Sequence, residues 1–205
     1  MAVLQRGSAR PLHRRRAGRT APKIRRDAYP GIHRTHLERA ACTGWRGTPL
    51  LAFDKSPVPA CRTASLSDLD AIRCLEVAEF EHLAYPYFVL RQLFELHGAN
   101  WTVAEDGGEV CGYVLTAIGG DGTAWFLGFA VAAGCRGRGY GRALLEAALA
   151  QCRRARAEQV FVTVKPGNRS AYHLYKEVGF VWVDHEGTYF GPDEPRDVLV
   201  HKIYH

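Results

Sequence analysis

Between Val131 and Leu145 the chain reads Val-Ala-Ala-Gly-Cys-Arg-Gly-Arg-Gly-Tyr-Gly-Arg-Ala-Leu-Leu. Gly137, Gly139 and Gly141 alternate with Arg136, Arg138, Tyr140 and Arg142, and no carboxylate follows before Glu146. Glycine lets a backbone turn sharply and approach a ligand closely. The apolar residues Leu144, Leu145, Ala148 and Leu149 place a helix directly after the loop, and the first amides of a helix have no carbonyl partners of their own. Those amides, the helix dipole and three arginines favour an anion, so the stretch reads as a diphosphate grip. It is not a P-loop, because no Gly-Lys-Ser/Thr closes it. Its GxGxG spacing also departs from the GxGxxG of dinucleotide-binding folds. A glycine-rich connection without a ligand is the structural alternative.

A second stretch, Asn168-Arg-Ser-Ala171-Tyr172-His-Leu174-Tyr175-Lys-Glu-Val-Gly179-Phe180, spaces residues 168, 171, 172 and 175 at i, i+3, i+4 and i+7, one face of a helix. Asn168 suits the N-cap and Gly179 the position just past the C-terminus. A tyrosine on such a face ordinarily packs. Beside an acyl carrier it has a further use, since a phenol of pKa ~10 can give a proton to a departing thiolate.

The elements that must position these stretches follow from periodicity. Ala60–Ala64 reads as a strand, and Ser67 as the cap of a helix over Asp68–Glu81, with Leu69, Ile72, Leu75, Val77 and Phe80 facing inward. Pro86 opens a second helix that buries Phe88, Leu90, Leu93, Phe94 and Leu96 and stops at Gly98. Strands are expected over 101–105, 110–118, 124–131, 159–164, 180–183 and 198–203, and helices over 140–155 and 168–178. Asp106-Gly107-Gly108 supplies a hairpin turn. The result is an α+β domain, one mixed central sheet flanked by helices.

That domain is expected to span residues 58–205. Residues 1–60 carry 13 Lys and Arg against 3 Asp and Glu, leaving 14 against 18 for the remainder, so the net charge of +6 belongs to the leader. The leader, 1–57, shows no sustained period and is expected to be disordered. It reads as an extension without function, with a transit peptide and a basic arm as alternatives. The folded part gives no reason to expect nucleic acid. No apolar run reaches the ~18 residues of a membrane span. Six cysteines without a CxxC pair give neither a zinc site nor a disulfide framework, and fit thiols of a reducing cytoplasm.

Arg136-Gly137-Arg138-Gly139-Tyr140-Gly141 resembles the (Q/R)xxGx(G/A) motif of the GNAT N-acetyltransferases, and residues 168–180 resemble that family's NxxAxxLYxxxGF motif. The likeness extends in element order over residues 60–205. It implies the GNAT (acyl-CoA N-acyltransferase) fold and acetyl-CoA as acyl donor, with no metal. By the same resemblance the amides of residues 136–142 bind the pyrophosphate, Phe129, Ala130 and Val131 pair with the pantetheine arm, Asn168 contacts that arm, and Tyr175 is the general acid. Both motifs are similar to those of ribosomal-protein alanine N-acetyltransferases, which also carry a Tyr-Tyr/Phe pair before an acidic loop, matched here by Tyr189-Phe190 and the loop to Asp197. Those enzymes place a Glu where this chain has Thr163, which leaves the general base unassigned. Glu79, Glu81, His82 and Asp184 are substitutes by position alone, each equally readable as a solvated surface group. Tyr85, Tyr87 and Tyr189 either line an acceptor pocket or pack. The acceptor is a primary amine, on a protein N-terminus or lysine or on a small molecule, and the enzyme is a monomer or homodimer. A catalytically silent CoA-binding module is the alternative from another class.

Overall fold

Neighbouring residues on the central strands point into different layers: Val103 and Tyr113 pack with one buried cluster, Ala104 and Val114 with another. This alternation defines a sheet with a helical layer on each face. The computed structural model describes residues 59–205; the basic leader and its boundary lie outside the described residues.

The sheet contains β1 (Ala60–Thr63), β2 (Thr102–Asp106), β3 (Glu109–Ile118), β4 (Thr123–Val131), β5 (Gln159–Val164), β6 (Val181–Glu186) and β7 (Arg196–Lys202), in the spatial order β1-β2-β3-β4-β5-β7-β6. Every neighbouring pair is antiparallel except β4 and β5, so the sheet is mixed, as expected. Helices α1 (Leu69–Phe80) and α2 (Tyr87–His97) cover one face, with Leu69, Ile72, Leu75 and Leu90 packed on Trp101, Val103, Tyr113 and Leu115. Helices α3 (Tyr140–Arg154) and α4 (Arg169–Glu177) belong to the opposite cluster, which contains Leu144, Leu145, Ala148, Leu149 and Tyr175.

Three local expectations are corrected. The turn into α1 is capped at Ser65 rather than Ser67. The Asp68 carboxylate accepts from the Ser65 amide (2.6 Å) and hydroxyl (2.8 Å), closing a 3-10 turn over Leu66–Asp68 before the α-helix begins. On α1 itself Val77 is 51% exposed while Glu76 is 1% exposed. Two full turns from Leu69 fall on residue 76, so geometry puts the carboxylate inside and the valine a further ~100° round the helix. On α2, Phe88 and Leu96 face outward, 65% and 73% exposed, because Leu90, Leu93 and Phe94 already fill the strip against the sheet.

The irregularity that matters most lies in β4. Leu115 pairs with Gly128, but Thr116 pairs with Phe126, so Leu127 is one extra residue on that strand. A bulge bends a strand and strengthens its twist. The parallel pairing of β4 with β5 runs from Thr123–Gln159 only as far as Phe126–Val162. Beyond it β4 continues beside β3 to Val131, and β5 beside β7 to Val164. The two central strands therefore part like a V at their C-terminal ends.

Candidate active site

Along this V, residues 127–131 of β4 have no strand partner on the β5 side, although β3 pairs with them on the other. An extended chain bearing amides can lie along such an edge and complete its hydrogen bonding. Phe129 lines it, its ring 6.0 Å from that of Tyr175. Ala130 is buried on the α1 side, and Val131 turns toward the α3 cluster, where its carbonyl accepts from Arg136 Nε at 3.0 Å.

The glycine loop follows at once. Gly137 and Gly139 take φ of +73° and +88°, a region open to glycine and strained for other residues. Gly139 is the N-cap of α3. The first loop-to-helix bond is donated by the Ala143 amide to the Gly139 carbonyl, and no backbone carbonyl among the described residues accepts from the amides of residues 137–142. At Gly141 the demand is spatial: a Cβ there would stand 2.9 Å from Leu174 Cδ2, where α3 and α4 meet. Six amides converging at the positive end of a four-turn helix form a fit receptacle for a diphosphate.

The arginines are arranged differently from what local sequence suggests. Arg136 is paired with Glu79, Arg138 with Asp106 at 2.6 Å and Arg142 with Glu177 at 2.7 Å. These three carboxylates come from three other elements, and Arg142 has in addition Glu146 at 3.8 Å on its own helix. The guanidinium of Arg138 also lies 5.3 Å above the Tyr140 ring. Tyr140 is itself buried, its hydroxyl pushed up to about 12 by burial and Asp106, so only its amide faces the loop. Each guanidinium is thus shared with a carboxylate, whereas the loop amides have no backbone acceptor among the described residues.

Helix α4 presents the second motif. Asn168 caps it through Oδ1, which accepts from the Ala171 amide at 3.1 Å. Tyr175 is 4% exposed, held between Phe129 and Phe180, with its hydroxyl free of hydrogen bonds to described residues. Burial raises its pKa, so it remains a phenol throughout the physiological range. Tyr172, one turn earlier, donates to Asp197, whose other oxygen lies 2.7 Å from His185 Nδ1. This bracket ties α4 to β6 and β7 and fixes the helix that carries Tyr175.

The Acetyltransferase (GNAT) family model matches residues 68–180, just over half of the chain. The chain belongs to the GNAT family. An N-alpha-acetyltransferase of Sulfurisphaera tokodaii is 29% identical over 140 residues, covering 58% of this chain and 78% of the relative. Among solved structures, the ribosomal-protein-S18-alanine N-acetyltransferase of Escherichia coli superposes with a TM-score of 0.62 at 18% identity, over 72% of this chain and 95% of its own. Arabidopsis thaliana Naa50, in complex with the bisubstrate analogue CoA-Ac-MVNAL, gives a TM-score of 0.62 at 18% identity, over 72% of this chain and all of its own. The protein is thus an acetyl-CoA-dependent acetyltransferase with the GNAT fold, and its likeness to the ribosomal-protein enzymes extends from motifs to architecture.

On the α1 side of the sheet, the loop from Glu81 to Pro86 approaches the β4 bulge. The Tyr85 hydroxyl donates to the carbonyl of the bulged Leu127 at 3.3 Å, and its own pKa is raised by burial, by Glu76 and by nearby Tyr189. Tyr189 packs edge-on against Phe190, over which the Arg196 guanidinium lies at 4.7 Å. His82 Nε2 meets Glu194 at 3.1 Å and links the loop after α1 to the one before β7. Tyr87 is removed from this group, exposed at the start of α2. Of the substitute bases, Glu79 is engaged by Arg136, Glu81 is exposed at φ +52°, and Asp184 sits on the outer strand accepting from the next amide. Thr163 pairs with Val198 in the sheet and contributes no carboxylate. The ionisable group that sequence reading passed over is Glu76, which accepts from the Tyr113 hydroxyl and from the Tyr85 amide at 2.9 Å. Its signal was present: an acid exactly two helical turns after a core leucine, in place of the apolar residue that position calls for.

Proposed function

We propose that this enzyme acetylates the free α-amino group of a protein or peptide by direct transfer from acetyl-CoA, with no covalent enzyme intermediate. The observation that carries the reading is the open edge of β4 at residues 127–131, flanked at one end by unpaired loop amides and covered by Tyr175. In this reading the amides of residues 136–142 take the diphosphate, with Gly137, Gly139 and Gly141 allowing the approach. Phe129, Ala130 and Val131 take the pantetheine amides, and the uncommitted NH₂ of Asn168 steadies the arm. Bound acetyl-CoA supplies an activated acetyl group.

The amine lone pair attacks the thioester carbonyl, a C–N bond forms and the C–S bond breaks. Tyr175 donates its phenolic proton to the leaving sulfur, and the proton lost by the amine passes through water in the groove and restores the phenol. The acceptor enters between Tyr85 and Tyr189 on the α1 side of the sheet. The α-amine is favoured because the named relative is an N-alpha-acetyltransferase and because Naa50, of the same fold, is bound to a peptide-bearing analogue. Among the described residues the thiols of Cys61, Cys111, Cys135 and Cys152 form no disulfide, which suits a cytoplasmic enzyme.

The test incubates the full chain with acetyl-CoA and an unblocked peptide library, half of it with lysines capped, and reads thiol release and the acetylated atom by mass spectrometry. Acetylation at α-amines in both halves is expected. Modification confined to free lysines, or turnover only with small amines, overturns the peptide N-terminus. CoA binding without turnover on any amine would mark a silent module.

A further inference from the structure

Glu76 is the one fully buried carboxylate among the described residues, and none of the steps above uses it. Among the described residues it has no cationic partner. Its two donors are the Tyr113 hydroxyl on β3 and the Tyr85 amide in the loop after α1. Desolvation raises its pKa, and both donors oppose that rise. Burying an acid with so little compensation is costly, and a leucine in its place would pack without that cost.

Its position explains the choice. Oε1 lies 3.1 Å from where a Cβ on Gly128 would stand, so the carboxylate sits directly behind the bulge of β4, and Gly128 has no side chain to keep it away. The same oxygen accepts from Tyr113, while Oε2 holds the Tyr85 amide. Tyr85 in turn reaches the carbonyl of Leu127 with its phenol. One acid therefore connects the bulge, the strand behind it and the loop that walls the acceptor side.

We propose that Glu76 is a positioning residue for the acceptor amine: it clamps Tyr85 over the β4 bulge and so fixes the wall against which the amine meets the thioester. This rests on the acetyl-transfer reading above, and concerns the acceptor half of the site alone. The donor half, the glycine loop and Tyr175, lies on the other face of the sheet and is independent of the clamp. An apolar residue in place of the acid distinguishes the two halves. Glu76→Leu offers no acceptor to the Tyr85 N–H or to the Tyr113 hydroxyl, whereas an amide could flip to serve both, so with leucine the clamp opens.

Two measurements on the full-length variant test this. Hydrogen exchange of the Tyr85 amide, a readout that requires no acceptor substrate, is expected to speed up in Glu76→Leu. With the peptide that the wild-type enzyme acetylates best, KM for the peptide is expected to rise about tenfold, the size of one lost charge-assisted hydrogen bond, while calorimetric affinity for CoA stays within about twofold. Tyr85→Phe removes only the final link to Leu127 and is expected to raise peptide KM in the same direction, which keeps the test open should Glu76→Leu fold poorly. Unchanged exchange at Tyr85, unchanged peptide KM in both variants, or an equal fall in CoA affinity would each overturn the clamp. A wild-type enzyme that acetylates no peptide would instead defeat the acceptor assignment, with the exchange measurement still deciding whether Glu76 holds Tyr85.

Discussion

Phe129 and Tyr175 meet at the open end of the β4–β5 pair, their ring centroids 6.0 Å apart and their planes inclined at 55°. The contact couples the two motifs: one residue belongs to the strand edge, the other to α4, and neither is near the other in sequence. It also buries the phenol, and in the proposed reaction its proton is available to a group arriving along the strand.

Tyr175→Phe tests that availability. The ring, its contacts with Phe129 and Phe180, and the helix all remain, so CoA affinity by calorimetry is expected to change by less than about twofold. Turnover is expected to fall by at least about tenfold, in the range ascribed to general acid catalysis. Because burial raises the Tyr175 pKa, the acid is present at every pH up to the alkaline range, and activity should show no loss attributable to its ionisation near neutrality. Turnover equal to wild type would remove Tyr175 from the chemistry.

Gly139→Ala tests the loop. A Cβ at Gly139 would meet nothing closer than Pro59 Cγ at 3.8 Å, so the substitution adds no clash. What it adds is a side chain at φ +88°, a conformation costing about 1–2 kcal/mol. Relaxation of that strain would rotate the loop amides, and an affinity loss for CoA of about tenfold is expected. Gly122→Ala, at φ +81° in the turn between β3 and β4, is the control. It should lower the thermal midpoint comparably and leave CoA affinity unchanged.

What the sequence made legible and what it hid differ in range. The β5 limits, the Asn168 cap and the glycine loop depend on neighbours within a few residues, and the structure has them at or within a residue of the expected places. The opposition of Arg138 by Asp106 joins residues 32 positions apart, and Glu76 meets Tyr113 across 37. No periodicity reports such pairings. The inward face of α1 was misread for a related reason: hydrophobicity selected Val77, whereas the helix repeat selected Glu76, and a buried acid violates the pattern that the reading relies on. The cap lies at Ser65 instead of Ser67, and the role of Asp68 in closing that 3-10 turn is visible only once Arg62 and Ser65 are placed around it.

The arginine pairings carry their own prediction. Since Arg138 and Asp106 are both partly solvated, solvent screens what the guanidinium adds to the loop's potential, and removing it subtracts little. Arg138→Gln is expected to weaken CoA binding by no more than about threefold at moderate salt, less than Gly139→Ala does. A loss of fiftyfold or more would show that the side chain, rather than the backbone, grips the diphosphate.

Asp68 gives a dependence of stability on pH. Its carboxylate receives Arg62 at 2.7 and 2.9 Å, and this hydrogen-bonded pair, with help from Ser65 and against the cost of burial, holds the folded pKa at about 2. In the unfolded chain the group titrates near its ordinary value of 3.8. A depressed carboxylate stabilises the fold fully above the unfolded value, and that contribution drains away as pH falls from about 4 through about 2. Its size at neutral pH is about 1–2 kcal/mol once the partly exposed position of Arg62 is allowed for. Asp68→Asn abolishes the titration while keeping the volume. The urea midpoint of wild type is therefore expected to exceed that of the variant at pH 7, and the gap should narrow steadily between pH 5 and pH 3. A gap that stays constant over that interval would mean that Asp68 stabilises the turn into α1 through its hydrogen-bond geometry alone, with its charge contributing nothing.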